Sequence, residues 1–155
     1  MAIPTNQLRR LLNSDEPDYT ALARLGPTIL PQLRQLVADR NEYVAANAAS
    51  LAGMIGHDQA VAVLEVATRS PSAQVRIAAA GALRHLKRPA ASGLIALLLN
   101  DRDKGVRKFA IKASANRSNS ALLAKIGDLS KKDPTPMIRS LASRVLSQVR
   151  KVKSG

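Results

Sequence analysis

Side chains that could bind a metal or act in catalysis are few in this sequence. The chain has 155 residues with no cysteine and two histidines, His57 and His85. A zinc site takes three or four ligands, which two histidines and no cysteine do not readily supply. His57 lies in a predicted turn and His85 near a predicted helix C-terminus, where structural roles are the more common interpretation. We therefore expect no metal site.

The acidic residues form no recognisable catalytic pattern either. Residues 101–105 resemble the start of a calcium-binding loop, but Lys112 stands where such a loop needs its bidentate glutamate. The sequence contains no GxxxxGK[ST] phosphate loop, no GxSxG nucleophile motif and no HExxH zinc motif. We expect a protein without enzymatic activity and without a cofactor.

The composition is typical of a folded helical protein. Hydrophobic residues make up 46% and aromatic residues 2% of the chain, so the predicted core consists of Ala, Leu, Val and Ile. Such small side chains suit closely packed helices. Residues 1–6 lack the features of a secretory signal, and the longest apolar stretch, Leu94–Leu99, is too short to cross a bilayer. We expect a cytoplasmic protein that does not enter a membrane.

One segment occurs four times along the chain. Each copy contains an anchor residue, and the four anchors are spaced by 31, 31 and 32 residues. An alanine follows each anchor by four residues, and small or apolar residues recur at +3, +4, +7 and +8, as on one face of a helix. The anchors are Val44, Val75, Val106 and Ile138, and the predicted preceding helices are Thr28–Ala38, Gln59–Thr68, Ala90–Asn100 and Ser120–Lys131. The predicted N-cap or turn residues are Asp58, Ser70, Asp101, Ser118 and Asp133.

The repeated segment resembles the second helix of the HEAT repeat family. In that pattern an aspartate precedes an arginine by six residues, as Asp101 precedes Arg107 here. The resemblance covers roughly residues 26–150 and implies an all-α fold, a right-handed α-α superhelix of about four helix pairs. It also implies that these residues form a hydrogen-bonded ladder between repeats, with the arginines as internal braces. The ladder residues are Asp39, Arg76, Asp101, Arg107, Asp133 and Arg139, whereas Ser70 replaces one aspartate and Ala45 one arginine.

The predicted organisation has three parts. A helical cap occupies residues 1–25, with helices expected within Thr5–Asn13 and Tyr19–Leu25. Four HEAT-like repeats follow, and a basic tail occupies 151–155. The repeats are expected at about 26–56, 57–87, 88–117 and 118–150.

A stack of helix pairs offers its second helices as an inner face, which is usually the binding face. Helical geometry places positions +2, +5, +6 and +9 from each anchor away from the core. On this assumption the inner face carries small residues in its N-terminal half and basic residues in its C-terminal half. The predicted partner-binding residues are Ala46, Ala49, Ile77, Ala80, Arg84, Lys108, Ile111, Lys112 and Arg144.

The net charge of +13 is unevenly distributed along the chain. Residues 101–155 contain 14 Lys and Arg against 4 Asp and Glu, whereas residues 1–100 contain 10 against 7. The favoured hypothesis is a non-catalytic adaptor or scaffold that binds a protein partner with an acidic or amphipathic helical surface.

The alternative hypothesis is a nucleic-acid-binding module that contacts phosphates. With only Tyr19, Tyr43 and Phe109 as aromatic residues, recognition by base stacking is disfavoured. A bilin lyase-like subunit ranks lower, because it rests on the family resemblance alone; the oligomeric state stays open. The predicted phosphate contacts are Arg102, Lys104, Lys108, Lys112, Arg117, Lys131 and Lys132.

Overall fold

The structure is a computed structural model that describes residues 2–117 and 119–154, with side chains described as far as Lys151. Ser118, a predicted N-cap, lies outside these residues. Over the described ranges the chain is all-helical, with ten α-helices, one 3-10 helix at Gly26–Ile29 and no strand. The helices are α1 Thr5–Leu12, α2 Tyr19–Ala23, α3 Leu30–Leu36, α4 Glu42–Ile55, α5 Ala60–Thr68, α6 Ala73–Leu83, α7 Pro89–Leu98, α8 Lys104–Ser114, α9 Ser120–Lys132 and α10 Pro136–Ser154.

The chain divides into two compact units, Met1–Leu86 and Lys87–Gly155. In the first unit, α3 pairs with α4 and α5 with α6, while α4 packs along α6. In the second unit, α7 pairs with α8 and α9 with α10, while α8 packs against α10. Each unit therefore contains two helix hairpins whose second helices lie side by side.

The four anchor residues occupy equivalent buried positions. Val44, Val106 and Ile138 have 0% of their surface exposed and Val75 has 1%. The alanine four residues after each anchor is also fully buried in every repeat. Because alanine adds little bulk, neighbouring helix axes approach closely at this point. The small-residue stripe that defines the repeat is thus a packing feature.

The predicted turn residues fold the chain before each second helix. Asp101 Oδ1 accepts a hydrogen bond from the backbone N–H of Asp103 at 2.9 Å, and Asp133 Oδ1 accepts one from Thr135 at the same distance. Asp39 and Ser70 accept the equivalent bonds in the first unit. Such a side-chain acceptor stabilises the turn two residues ahead of itself. The side chain that caps α8 is Asp103, two residues after the predicted Asp101, and Asn41 caps α4.

Polar contacts attach the N-terminal helices to α4. Tyr19 donates its hydroxyl hydrogen to Asn47 Oδ1 at 2.6 Å, and Asn47 Nδ2 donates to the carbonyl of Leu12 at 2.9 Å. Burial raises the pKa of Tyr19, and the neighbouring Tyr43 adds to this effect. Leu8 and Leu12 of α1 are fully buried. The first helices thus form part of the Met1–Leu86 core.

None of the described helices combines the length and the apolar character that crossing a membrane would require.

Candidate binding surface

Arg107 links the two helix hairpins of the second unit. Its Nε and Nη2 donate to the two carboxylate oxygens of Asp133 at 2.8 and 3.2 Å. Its Nη1 donates to the carbonyl oxygens of Asp101 and Arg102 at 2.9 and 3.2 Å. The Asp133 side chain is only 1% exposed, so this is a buried ion pair. All three guanidinium nitrogens have acceptors: Nε and Nη2 bind the carboxylate, and Nη1 binds the turn. Arg107 is a brace between repeats in this geometry, as the family resemblance implies.

The same guanidinium-to-turn contact recurs at other repeats. Arg76 Nη1 donates to the carbonyl oxygens of Ser70 and Pro71 at 2.9 and 3.1 Å. Arg139 Nη1 donates to the carbonyl oxygen of Asp133 at 2.6 Å. In each case one acceptor lies six residues before the arginine. These arginines therefore stabilise the turn of their own repeat.

Arg9 is a ladder residue that the repeat pattern did not indicate. Its Nε and Nη2 donate to the Asp39 carboxylate at 2.7 and 3.0 Å. The hydrogen bond from Arg9 is the main reason why the pKa of Asp39 is lowered. Leu8 is followed by Arg9 and, four residues after Leu8, by Leu12, which matches the anchor, arginine and small-residue spacing of the repeats. That spacing was the signal that α1 takes the place of a second helix.

Three of the nine predicted partner-binding residues lie in the core. Ala49, Ala80 and Ile111, all at position +5, have 0% of their surface exposed. The prediction that +5 points outward is wrong at these residues. A second helix packs against its own first helix, a neighbouring first helix and another second helix, so it buries a wider arc than one stripe.

The other predicted contact residues reach the surface in two separate groups. In Met1–Leu86, Ala46 and Ile77 are half-buried and Arg84 is exposed. The second unit contains Lys108, which is half-buried, and the exposed Lys112 and Arg144. Apart from Arg84, the basic candidates therefore lie on a surface of α8 and α10.

We call this surface the α8–α10 face. Lys112 and Arg144 both stand at +6 from their anchors, on helices that pack against each other. Lys108 and Lys112 place their ammonium nitrogens 5.8 and 5.4 Å from the centre of the Phe109 ring. Phe109 itself is half-buried. The face consists of Lys108, Phe109, Lys112, Ser140, Ser143, Arg144 and Ser147.

The charge of the α8–α10 face has one sign. Neither Lys104–Ser114 nor Pro136–Ser154 contains an aspartate or glutamate. The whole second unit has 16 Lys and Arg against 4 Asp and Glu, and the first unit has 8 against 7. An unopposed positive field attracts acidic ligands and accelerates their association.

The remaining predicted phosphate contacts lie near the turns of the second unit. Arg102 and Lys104 are exposed at the start of α8, and Lys131 and Lys132 are exposed at the end of α9. Arg117 is half-buried and donates to Ser92 Oγ at 3.2 Å and to the carbonyl of Ala113 at 3.3 Å. Burial lowers the pKa of the Arg117 guanidinium. Arg117 thus has internal partners that the four exposed cations do not share.

Potential metal ligands are dispersed. His57 and His85 are both exposed, and His57 Nδ1 accepts a hydrogen bond from the backbone of Gln59 at 3.2 Å. Among residues whose side chains are described, no three His, Asp or Glu side chains come close enough to hold a metal ion.

Comparison with known proteins confirms the resemblance to HEAT repeats. Residues 30–93 match the family model of HEAT repeats. No match was found among curated protein sequences. A similar structure is the complex of CpcE and CpcF of phycocyanin lyase from Nostoc sp. PCC7120, with 20% identity and a TM-score of 0.76 over 91% of this chain and 96% of that chain.

Two further solved structures share the fold. Human deoxyhypusine hydroxylase in complex with glycerol is 17% identical, with a TM-score of 0.68 over 95% of this chain and 62% of that chain. An engineered protein is 20% identical, with a TM-score of 0.54 over 97% of this chain and 81% of that chain. At these identities the likeness establishes a HEAT-like helical fold.

Proposed function

Taking residues 30–93 as HEAT repeats and the fold as HEAT-like, we propose that this protein is a non-catalytic adaptor that binds the acidic surface of a protein partner through the α8–α10 face. The observation that carries the proposal is the pair Lys112 and Arg144, exposed at equivalent positions of adjacent helices that contain no carboxylate. Regularly spaced cations on a rigid surface suit recognition of a partner with matching acidic side chains.

The small residues of the face favour a protein surface as the ligand. Ser140, Ser143 and Ser147 are exposed along α10. Because serine side chains are short, a partner helix can approach the backbone of α10. The Phe109 ring between two lysines adds apolar contact area in the middle of the charges. A combination of apolar area and charge is common at protein interfaces.

The neighbouring structures support protein binding without identifying the partner. One of them is a complex of two proteins, CpcE and CpcF. Another is an enzyme, deoxyhypusine hydroxylase, so the HEAT-like fold is compatible with catalysis elsewhere. The non-catalytic role proposed here rests on the sparse set of histidines, cysteines and acidic residues in the sequence. A bilin lyase-like role remains a third candidate, and no residue described above favours it.

Affinity capture from the native host tests the proposal. The tagged protein is incubated with lysate, with and without nuclease, and the retained proteins are identified by mass spectrometry. We expect retention of an acidic partner that resists nuclease and decreases with added salt, because exposed charge pairs are screened. Loss of every specific partner after nuclease treatment contradicts the adaptor function.

The second candidate function is binding to nucleic acid phosphates. Arg102, Lys104, Lys131 and Lys132 favour it, since these exposed cations surround turns that the Arg107–Asp133 pair joins. Fluorescence anisotropy with labelled duplex DNA and RNA at about 50 and 200 mM salt tests it, because phosphate binding decreases steeply with salt. Absence of binding at the lower salt concentration removes this candidate.

A further inference from the structure

One repeat lacks the arginine that fills the ladder position elsewhere. In the repeats that have it, the guanidinium Nη1 binds carbonyl oxygens six and five residues upstream, as Arg107 binds those of Asp101 and Arg102. Ala45 occupies the arginine position in the first repeat, six residues after Asp39. The carbonyl oxygens of Asp39 and Arg40 are therefore the equivalent acceptors, with no guanidinium from their own repeat.

These two carbonyl oxygens have no donor elsewhere in the described part of the chain. Neither the Asp39 nor the Arg40 carbonyl accepts a backbone or side-chain hydrogen bond there. In the second repeat, Ser70 replaces the aspartate that would pair with an arginine at position 45. Ser70 Oγ keeps the turn by accepting from the Ser72 N–H at 3.2 Å, but it supplies no carboxylate. Between the first and second repeats, the ladder therefore lacks both its arginine and its aspartate.

A groove lies between the turn that precedes α4 and the turn that precedes α6, whereas Ala45 itself is buried. It has a volume of about 670 Å³ and is lined by both turns, including Asp39, Arg40, Ser70 and Ser72. The corresponding groove in the second unit is lined by Arg107 and Asp133 and has a volume of about 350 Å³. The groove is smaller where a ladder arginine lines it. We call the larger one the Ala45 groove.

We infer that the Ala45 groove binds the guanidinium of an arginine side chain presented by a partner protein. In Arg76 and in Arg107 a single guanidinium nitrogen, Nη1, donates to two adjacent carbonyl oxygens. A guanidinium that binds the two carbonyls in this way keeps its other two nitrogens for further acceptors, which the ammonium of lysine cannot do, so the groove prefers arginine to lysine.

The charges around the groove are nearly balanced. Glu42 lines it and accepts a hydrogen bond from Ser72 Oγ at 2.7 Å through one oxygen. Arg40 and Arg69 line it too, and the Arg69 guanidinium forms an exposed ion pair with Glu65 at 3.2 Å. The first unit as a whole is close to neutral, so it does not repel a cation as the second unit does. This site is independent of the α8–α10 face.

Nuclear magnetic resonance of the full chain tests the inference with N-acetyl-arginine amide as the probe. We expect saturable shifts of the backbone amides of Asn41, Ser70 and Ser72, with an affinity in the millimolar range, since two neutral-acceptor hydrogen bonds contribute modestly. N-acetyl-lysine amide and N-acetyl-citrulline amide at the same ionic strength are the matched probes. Equal shifts from all three probes, or none from the arginine probe, overturn the inference.

Two variants separate groove binding from contacts elsewhere. Ser70→Asp restores the ladder carboxylate and should tighten arginine binding roughly tenfold, because a charged bidentate pair replaces a neutral contact. Adding Ala45→Arg to Ser70→Asp completes the internal ladder, which should abolish probe binding and raise the melting temperature. Arginine-induced shifts that persist in a folded double variant contradict the inference, as does an unchanged affinity in Ser70→Asp.

Discussion

Arg107 and Asp133 form a bidentate ion pair across two helix hairpins, with nitrogen–oxygen distances of 2.8 and 3.2 Å. The Asp133 carboxylate also holds its own turn by accepting from Thr135, and the Arg107 fork also binds the turn that precedes α8. One guanidinium therefore connects two successive turns. The pair is a buried polar link between the two hairpins of the second unit.

Arg107→Ala should lower the free energy of unfolding by about 3 kcal/mol. The substitution leaves the Asp133 charge buried without its partner, and a buried charge that loses its partner is costly. Chemical denaturation monitored by circular dichroism measures the change. Replacing both residues by alanine should cost less than the sum of the single changes, because no charge is then left unpaired. Additive effects would show that the two side chains do not interact.

Asp39→Asn should make the free energy of unfolding less dependent on pH in the acidic range. The Arg9 hydrogen bond lowers the pKa of Asp39 below its ordinary 3.8, so the folded state binds this proton less readily than the unfolded state. The stabilisation is fully present above the unfolded pKa and is lost as the pH falls through the lower, folded pKa. Urea unfolding between about pH 5 and pH 2 checks this slope. Arg9→Ala should reduce the slope in the same way, and a steeper slope in either variant contradicts the assignment.

Gly53→Ala should destabilise the first unit by about 1–3 kcal/mol. A methyl group at Gly53 of α4 would lie 2.6 Å from the Ala82 Cβ and 2.7 Å from its Cα, so α4 and α6 must separate. Gly127→Ala is the matched control, because a methyl group there meets no atom within 4 Å. The free energy of unfolding of this control variant should increase by up to about 1 kcal/mol, because alanine has a higher helix propensity than glycine. Equal effects of the two substitutions on thermal unfolding would exclude close helix contact at Gly53.

The periodic positions of the sequence predict the repeat core well. Val44, Val75, Val106 and Ile138 are all buried because a regular hairpin repeat places equivalent residues in equivalent environments. The resemblance to HEAT repeats implied the ladder role of Arg107, which pairs with Asp133, whereas Arg139 binds the turn of its own repeat. These features depend on local spacing, which a sequence displays directly.

Features that depend on which helices become neighbours were harder to predict. Ala49 and Ile111 were expected at the surface because one helical stripe was counted as buried, whereas α4 and α8 each pack against several helices. Arg9 was missed because Leu8 precedes Val44 by 36 residues, outside the spacing of the other anchors. The Ala45 groove results from the joint absence of two partners from different repeats. Such relationships become visible only once the turns are placed side by side.

Charge reversal of the α8–α10 face tests whether this surface binds the partner protein. The triple variant Lys108→Glu, Lys112→Glu and Arg144→Glu is compared with Arg102→Glu, Lys131→Glu and Lys132→Glu, which changes the net charge equally at the turns. Quantitative capture of the nuclease-resistant partner is measured after both variants are verified as folded by circular dichroism. We predict that the first variant loses the partner and the second retains most of it, since the contacts are local to the face. Retention of the partner by the first variant at the wild-type level would contradict the account.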